Sequence, residues 1–470
     1  MRHDSVLIVV QNLPVPLDRR VWLEAQTLRK AGYEVAVICP KGPGDKARET
    51  LDGVSIYRYR PAPGTDGLLT YLVEFVYCWV RTALLSLVVH RRHRFGVLQA
   101  CNPPDTYWLL GLLWKARGVR FVFDQHDLNP ELFRSRFGEP GTVTARLQLA
   151  VLTWLERMTY RVADHVISTN ESYRAVALGR GRRRPEDVTV VRSGPDTSRM
   201  RPVQGRAELR RGADYLLAYL GIMGPQDNVD VLLRVMRILV HERGRKDVHL
   251  ALLGFGDCLE QLRAEAGELN LDDYVTFTGR ADQAMIAEYL STANLGLCPD
   301  LKTPLNDVST HNKTMEYMAF ALPVVTFDLA ESRVSAGDSA VYVPSGDVEA
   351  YADAIEALLD DPDRRVRMGA EARARCSREL DWRPNARAYL GVFDAMSGRA
   401  GAADDGEWPA VDRRAGARAA APPRVVIDLR DGAGYEQFLL GRGVPDDGPL
   451  GRGSVTAGDG GTAPQPEAVP

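Results

Sequence analysis

The chain has 470 residues, 45 % of them hydrophobic and 26 % charged, which is ordinary globular composition and allows two or three domains. Its net charge of -3 at pH 7 provides no basic surface of the kind that nucleic acids require, and this excludes them as partners. The six cysteines lie far apart, which excludes a closely spaced zinc or redox motif and indicates reduced, buried thiols. No cleavable signal pattern precedes the first apolar run, so we expect a cytoplasmic protein.

Short apolar runs alternate with helical segments through the first 200 residues. The runs at 6–10 and 34–39 are typical of parallel strands that are covered on both faces, and further strands are predicted at 95–100, 119–124 and 188–192. The loop after the first strand faces the carboxyl edge of the sheet, where doubly wound folds bind ligands. Arg19 and Arg20 begin the helix after that loop. They are either surface arginines without a function or cations that bind a ligand.

The most apolar helix candidate runs from Gly67 to Val89. Glu74 and Arg81 interrupt it before the roughly 18 uncharged residues that a membrane span needs, so we expect that it does not cross a bilayer. A helix packed inside the first domain explains most of this pattern. The alternative is docking at the membrane surface, with the basic run 90–94 facing anionic lipid.

The predicted strand at 119–124 leads into a polar loop that contains His126 and Asp127. A histidine after a strand is often structural, but the carboxyl end of a strand can face a cleft, and there this pair would be functional. Farther along, the arginine cluster at 180–184 is either a solvated loop or a site for an anionic acceptor.

The alternation of strands and helices restarts at Tyr215. Two successive series of this kind predict two similar α/β domains that face one another across a cleft. The predicted strand at 249–253 is followed by Gly254 and Gly256, and a Gly-x-Gly after a strand is weak support for phosphate binding.

The stretch from Asn306 to Phe327 predicts a polar loop, a short helix and a buried strand. Ser309 and Thr310 are the expected capping residues of the helix. Lys313, in the first turn, adds a full charge to the partial positive charge and unpaired amides of the helix N-terminus. Such a corner suits a phosphate group.

This stretch resembles the donor-site signature of the family 4 glycosyltransferases, which are retaining sugar transferases with the GT-B fold. The similar positions are Asn312, Lys313, Glu316, Tyr317, Met318, Ala319, Pro323, Val324 and Val325. The resemblance spans roughly residues 6–393 and is strongest to the branch of polysaccharide and O-antigen sugar transferases. It implies an α/β protein with two Rossmann-like, doubly wound domains around a central cleft. The domains would be 1–200 on the acceptor side and 201–380 on the nucleotide-sugar side, followed by a crossover helix at 381–397 and a disordered tail at 398–470.

The resemblance also implies roles for individual residues. Glu316 would hold the ribose hydroxyls of a nucleotide sugar, the helix N-terminus would face the diphosphate, and His126, with Asp127 beside it, would contact the donor sugar. The set of implied substrate-binding residues further includes Asn312, Gly254 and Gly256. No metal and no other cofactor is expected, because GT-B relatives use protein groups where other transferases use a cation.

The chain departs from the family pattern at several positions. Ile222 and Asp227 stand where the family supplies an arginine and a lysine, and Val308 stands where a glutamate contacts the donor sugar. We therefore expect Lys313, together with Arg19 or Arg20, to neutralise the diphosphate, and Asp307 or Asn306 to contact the sugar. Lys313→Ala should then reduce turnover far more than fold stability. Ala321 replaces a usual glycine, and a left-handed conformation there would cost about 1 kcal/mol.

The implied activity is transfer of a sugar from a nucleotide diphosphate sugar to an acceptor hydroxyl. The expected acceptor is a lipid-linked or other cell-envelope precursor at the cytosolic face of the plasma membrane. Two alternatives remain at this point: a nucleotide-sugar epimerase on the same fold, and a non-catalytic nucleotide-sugar binder that has lost the family's cations. The sequence does not determine the base, the sugar, the linkage or the oligomeric state.

Overall fold

In the computed structural model of the chain, residues 2–62, 68–399, 427 and 432–442 are described. Their strands form two separate sheets, one of eight strands and one of six. The interiors of the sheets are mostly apolar, with a few buried polar residues such as Gln99 and Asp124; in the first strand, for example, Val6 to Val9 have no exposed surface. Strands of this kind are buried on both faces, and for that reason the apolar runs in the sequence located them.

The first sheet and its helices occupy the first half of the chain. Its strands are β1 (Arg2–Val9), β2 (Glu34–Pro40), β3 (Arg48–Leu51), β4 (Val54–Tyr59), β5 (Phe95–Cys101), β6 (Arg120–Gln125), β7 (His165–Ser168) and β8 (Val188–Val190). Its helices are α1 (Arg19–Lys30), α2 (Leu68–His93), α3 (Trp108–Lys115), α4 (Asn129–Phe137), α5 (Val143–Val162) and α6 (Glu171–Gly179). The strand order is β3-β4-β2-β1-β5-β6-β7-β8. The neighbours pair in parallel except β3 and β4, which form an antiparallel edge hairpin that the sequence did not predict.

The second sheet repeats the architecture. Its strands are β9 (Tyr215–Ile222), β10 (Val248–Phe255), β11 (Val275–Gly279), β12 (Leu295–Cys298), β13 (Val324–Phe327) and β14 (Ala340–Val343). Its helices are α7 (Asp230–Arg237), α8 (Leu259–Glu268), α9 (Gln283–Thr292), α10 (Asn312–Ala319), α11 (Ala330–Ala336), α12 (Val348–Leu359) and α13 (Pro362–Arg375). The strand order is β11-β10-β9-β12-β13-β14, and every pair is parallel. Two doubly wound α/β domains are present, and this confirms the predicted fold class.

The last long helix crosses back to the first domain. Helix α14 (Trp382–Ser397) buries Trp382 and Tyr389 in the core formed with α1 and the first sheet. Trp382 Nε1 donates to Thr27 Oγ1 at 2.9 Å, and the Tyr389 hydroxyl donates to Gln99 Oε1 at 2.5 Å. The helix therefore ties the end of the second domain to the first.

Most of the tail that we predicted to be disordered, 398–470, lies outside the described residues. Its described part contains helix α15 (Gly432–Gly441), which packs against α13. Leu439 is buried, and the buried Arg442 guanidinium donates to the carbonyls of Leu290, Ser291 and Ala321. This short apolar segment is ordered within a tail predicted to be largely disordered, because it packs against α13 and Arg442 donates to carbonyls at the ends of α9 and α10.

Helix α2 lies along β1, β2 and β4 as one layer of the first domain. Among the described residues, its segment Val73–His93 is the one helix long and apolar enough to cross a membrane by length and composition. The sequence argument used a stricter criterion, an uninterrupted run of roughly 18 uncharged residues, which Glu74 and Arg81 break; that the helix does not cross a bilayer stays a prediction. Its packing on the sheet shows that this segment is also part of the fold.

Candidate functional site between the two domains

The carboxyl edges of the two sheets face each other across a cleft of about 460 Å³ that is open to solvent. This is the edge at which doubly wound folds bind ligands, and the volume lies within the range of small-molecule pockets. Most of the predicted site residues line it, namely Arg19, Arg20, His126, Asp127, Gly254, Asn312, Lys313 and Glu316. The fold therefore brings together residues that are up to about three hundred positions apart.

Arg20 anchors the first-domain wall of the cleft. Its side chain is 7 % exposed and forms ion pairs with Asp124 at 2.8 Å and Glu24 at 3.0 Å. It also donates to the Val191 carbonyl and to Ser193 Oγ, each at 2.8 Å. Burial disfavours the charge, but the two carboxylates more than offset it and raise the pKa of Arg20. The charge of Arg20 is thus compensated inside its own domain.

His126 belongs to the same cluster, since its Nε2 lies 2.8 Å from Asp124 Oδ2. Burial opposes an imidazolium, yet the Asp124 carboxylate raises the pKa of His126 to about 9. His126 is therefore protonated at neutral pH. The neighbouring Asp127 is held through its backbone, to which the Asn102 side chain hydrogen-bonds, and burial raises the pKa of its carboxyl group.

The ligand atoms of Glu24, Cys101, Asp124 and His126 lie within 4.8 Å of one another, a grouping that could hold a metal ion. The guanidinium of Arg20 already contacts the carboxylates of Glu24 and Asp124. The positive charge between those carboxylates is thus supplied by the protein itself.

The loop before α10 binds the first domain. Thr310 Oγ1 accepts a hydrogen bond from Asn170 Nδ2 at 2.9 Å, and Ser309 Oγ lies 2.9 Å from the Tyr173 hydroxyl. The prediction that these two residues cap α10 is wrong, because their hydroxyls pair across the cleft. His311 occupies the N-cap position without a side-chain hydrogen bond to the helix. The first-turn amides of α10 are therefore left without a side-chain cap.

Lys313 is buried below the first turn of α10. Its Nζ lies 2.8 and 3.0 Å from the two carboxylate oxygens of Asp300, 3.7 Å from Asp227 and 5.0 Å from the centre of the Tyr219 ring. Burial disfavours its charge, but Asp300 dominates and raises the pKa of Lys313 well above its ordinary value. Burial also raises the pKa of Asp227 to about 6, against the opposing effect of Lys313. Lys313 and Asp300 thus form a neutral, buried pair.

Arg19 and Glu316 form an ion pair between the two domains. Arg19 is the first residue of α1, and Glu316 lies in the middle of α10 on its cleft side. The guanidinium is 46 % exposed and the carboxylate 12 % exposed. The charge of Glu316 raises the pKa of Arg19. This pair closes the cleft next to a second cavity that both residues also line.

Three predicted site residues do not line the cleft: Asn306, Asp307 and Gly256. Asn306 is buried and donates from Nδ2 to the carbonyls of Gln226 and Leu301, at 3.2 and 3.0 Å. Asp307 accepts from the Ala330 amide at 2.8 Å, at the start of α11. We correct the predicted sugar-contacting role of both, because their side chains stabilise neighbouring loops.

The two glycines after β10 differ in their position. Gly254 lines the cleft, and a Cβ there would meet the Gly221 carbonyl at 1.8 Å. Gly256 packs below the loop after β9, where a Cβ would meet the Met223 carbonyl at 2.5 Å. Close backbone approach explains both glycines, and Gly256 does not share the cleft with the other candidates.

Sequence reasoning missed several residues of the cleft. Asp300 and Asp124 are the partners of Lys313 and of the Arg20 cluster, and both follow or end a strand, where a search of strand ends would have found them. Arg280 comes directly after β11 and lines the cleft, with its guanidinium 5.6 Å from the centre of the Phe255 ring. Within the described ranges, Arg280 has no carboxylate at ion-pair distance. Among the described residues, Arg280 is therefore the cleft cation that has no carboxylate to compensate its charge.

Two family models match the chain in succession. The model described as "Glycosyl transferase 4-like domain" matches residues 17–194, and the one described as "Glycosyl transferases group 1" matches residues 214–361. The first match falls on the first sheet and its helices, and the second falls on the second sheet.

Individual relatives agree with these matches. The phosphatidyl-myo-inositol mannosyltransferase of Mycobacterium leprae is 35 % identical over 398 residues, which are 82 % of this chain and 94 % of the relative. Sucrose-phosphate synthase from Thermosynechococcus elongatus has a TM-score of 0.68 at 19 % identity, covering 84 % of this chain and 99 % of its own. The Anabaena protein HepE, solved with UDP-glucose, has a TM-score of 0.61 at 16 % identity, covering 83 % and 99 %. The two solved structures share the fold of this chain.

Proposed function

We propose that this chain, which belongs to the family 4 glycosyltransferases, moves a sugar from a nucleotide diphosphate sugar to an acceptor hydroxyl with retention at the anomeric carbon. One observation carries the proposal: Glu316 and the uncapped N-terminus of α10 face His126 across one cleft at the carboxyl edges of both sheets. HepE, whose structure contains UDP-glucose, has the same fold. The cleft volume of about 460 Å³ is in the range of small-molecule sites.

In this proposal the donor lies along the second domain. The Glu316 carboxylate accepts hydrogen bonds from the ribose hydroxyls, and the first-turn amides of α10 donate to the diphosphate. The departing diphosphate gains negative charge as the glycosidic bond breaks, so the reaction needs oriented donors and cations. We expect protein groups to supply them, without a metal cofactor.

Arg280 and Arg19 are the best candidates for those cations. Lys313 is less suitable than the sequence suggested, because Asp300 already neutralises it at 2.8 Å. Arg280 has no carboxylate at ion-pair distance among the described residues, and Arg19, although paired with Glu316, is exposed at the mouth, where the diphosphate could take the place of that partner. His126, protonated at neutral pH, lies on the opposite wall, where the sugar would extend.

The acceptor side of the proposal rests on the first domain. The Mycobacterium leprae relative is a mannosyltransferase acting on phosphatidyl-myo-inositol, by its name. We therefore propose a lipid-linked or similar cell-envelope acceptor, used at the cytosolic face of the membrane. The sugar and the base of the donor are left open by this proposal.

One observation favours a second candidate, a nucleotide-sugar binder without transferase activity. The cation at the donor corner, Lys313, is paired with Asp300 and lies near Asp227, whereas a transferase benefits from uncompensated charge there. Binding of a donor without transfer and without hydrolysis would favour this candidate.

The test starts with a panel of nucleoside diphosphates in a thermal-shift assay, since a ligand of the native state raises its melting temperature. Transfer is then measured with the matching sugar donor in wild type, Arg280→Ala and Arg263→Ala. Arg263 is the matched control, because it lies over the Phe277 ring at 5.9 Å but outside the cleft. We expect Arg280→Ala to lose about 2 kcal/mol of transition-state stabilisation, about 30-fold in kcat/KM, with the control unchanged.

Several results would contradict the proposal. Equal activities of Arg280→Ala and Arg263→Ala would remove Arg280 from the site. Conversion of the donor sugar without any acceptor would indicate an epimerase instead. No stabilisation by any nucleoside diphosphate would refute the nucleotide-sugar site altogether.

A further inference from the structure

Three neighbouring helices of the first domain expose apolar residues at helical spacing. On α2 the stripe contains Val73, Val76, Val80, Leu84 and Leu87; on α3 it contains Leu109, Leu112 and Leu113; on α5 it contains Val143, Leu147, Val151 and Trp154. These side chains are between 42 % and 82 % exposed. Single exposed apolar residues are normal, whereas a patch of this size on a soluble protein marks an interaction surface.

The three stripes belong to one surface. Helix α3 lies between the other two, since Trp114 Nε1 donates to Ser86 Oγ on α2 at 3.1 Å and Trp108 contacts Trp154 on α5 with ring centres 5.8 Å apart. All three helices cover the same face of the first sheet. We call this surface the apolar face.

Helix α2 has apolar residues on both of its sides. Its buried side contains Cys78 and Val89 beside the polar residues Thr82 and Ser86, and leucine and valine also point away from the sheet. An amphipathic helix of a soluble protein places its apolar stripe toward the core. The outward stripe of α2 is therefore not explained by the packing of this domain.

Arginine side chains extend the same stripes at their carboxyl ends. Arg91 follows Leu87 by four positions on α2, and Arg157 and Arg161 follow Trp154 by three and seven on α5; all three are exposed. Arg117 follows Leu113 in the same way just after α3. Because crossover helices run opposite to the parallel strands, these ends meet at one edge of the sheet, away from the cleft. They form a basic band beside the apolar face.

The band is basic although the whole chain has a net charge of -3. Of the carboxylates on α2 and α5, Glu74 is exposed at the opposite end of α2, and Glu156 is buried in an ion pair with Arg180. Charge is thus segregated onto this side of the molecule. An apolar surface bordered by arginine complements a bilayer that contains anionic lipid, where Trp154 would sit at the headgroup level.

We propose that the apolar face lies on an anionic bilayer surface, with α2, α3 and α5 in the plane of the interface and the basic band on the lipid headgroups. Helix α2 stays on its sheet in this state, because Thr82 keeps its partner Tyr107 just before α3 and Ser86 keeps its partner Trp114 on α3. The cleft, at the other edge of the sheet, remains open to the cytosol. The proposal stands on exposure and charge and does not depend on which donor or acceptor the cleft uses.

The experiment is sedimentation of the full chain with vesicles of phosphatidylcholine alone or mixed with phosphatidylglycerol. We expect binding to the mixed vesicles, weakened by added salt because the charges are exposed. An apolar variant, Leu84→Ser with Leu112→Ser and Trp154→Ser, should bind at least roughly tenfold more weakly. A charge variant, Arg91→Glu with Arg157→Glu, should lose roughly tenfold or more on mixed vesicles and little on neutral ones. Val334→Ser, exposed on the second domain, is the control and should bind as wild type.

Circular dichroism and thermal melting show whether each variant is folded. If the apolar variant does not fold, the charge variant still tests the apolar face independently. Failure of the wild type to sediment, or equal binding of the control and both variants, would overturn the proposal. Resistance to extraction by alkaline carbonate would overturn it in favour of a spanning helix. A dimer in solution that the apolar variant dissociates would overturn it in favour of a second copy of the chain.

Discussion

The substitution Lys313→Ala tests most directly whether Lys313 serves turnover alone or also stabilises the fold. The sequence alone led us to expect a loss of turnover with little loss of stability. In the structure Lys313 and Asp300 are 8 % and 3 % exposed, with Nζ 2.8 Å from the nearer carboxylate oxygen. Lys313→Ala leaves Asp300 charged and buried without its main partner, so we now expect stability to fall as well.

The magnitude follows from the state of Asp300. Burial opposes its charge, but His311 and Lys313 keep the pKa of Asp300 below its ordinary value, so the folded protein contains the carboxylate. Removing one partner of a buried ion pair costs about 3–5 kcal/mol, because the other charge stays desolvated. The total stability of a protein is about 5–15 kcal/mol, so this loss would be a large fraction of it.

Urea unfolding followed by tryptophan fluorescence measures the loss, and transfer activity is measured in parallel. Lys302→Ala is the control, since Lys302 is 55 % exposed and its carboxylate partner, Asp307, lies at 3.4 Å; it should change stability by less than about 1 kcal/mol. The double variant Lys313→Met with Asp300→Leu should recover most of the lost stability, because it removes both charges. A stable but inactive Lys313→Ala protein would refute this reasoning and restore the interpretation from sequence.

Two further predictions concern stability. Ala321 has φ 57°, in the left-handed region where a glycine is relaxed, so Ala321→Gly should stabilise the chain by about 0.5–1 kcal/mol in thermal unfolding; a lower melting temperature would contradict this. The pKa of His126 is about 9 in the folded chain and about 6.5 when unfolded, so its contribution is fully present below pH ~6.5 and is lost as pH rises through 9. His126→Gln should therefore remove about 3 kcal/mol of stability near pH 6 and change little above pH ~10, measured by urea unfolding; an equal loss at both pH values would indicate packing alone.

Where the chain buries a strand on both faces, its sequence predicted the structure well. The apolar residues 6–9 of β1 and most of β9 and β10 located these strands, with bounds that differ from the observed ones by up to four residues. The hairpin of β3 and β4 was missed because Arg48–Leu51 is an edge strand of exposed and half-buried residues. An edge strand pairs on one side and needs no apolar run, so periodicity gives little sign of it.

The sequence predicted most of the residues that line the site, but not the residues with which they form ion pairs and hydrogen bonds. Lys313 was found by its place in the first turn of the predicted helix, and Glu316 by the resemblance to the family 4 glycosyltransferase signature. Their partners come from elsewhere: Asp300 follows β12, and Arg19 belongs to the other domain. The spacing also could not show that Ser309 bonds to Tyr173 instead of capping α10, since that choice depends on how the domains meet.

The ion pair of Arg19 with Glu316 suggests how the cleft can bind an anion although most of its cations are already paired with carboxylates. If Glu316 receives the ribose hydroxyls, as the proposed function has it, the two hydroxyls replace the single guanidinium donor on that carboxylate. Arg19 is then released at the mouth of the cleft, where the diphosphate would lie, and it exchanges one anionic partner for another. Glu316 keeps hydrogen-bond donors in this exchange, and the cation becomes available only when a nucleotide is present. The uncompensated charge of Arg280 would attract the anion first, so the two arginines contribute at successive steps of donor binding.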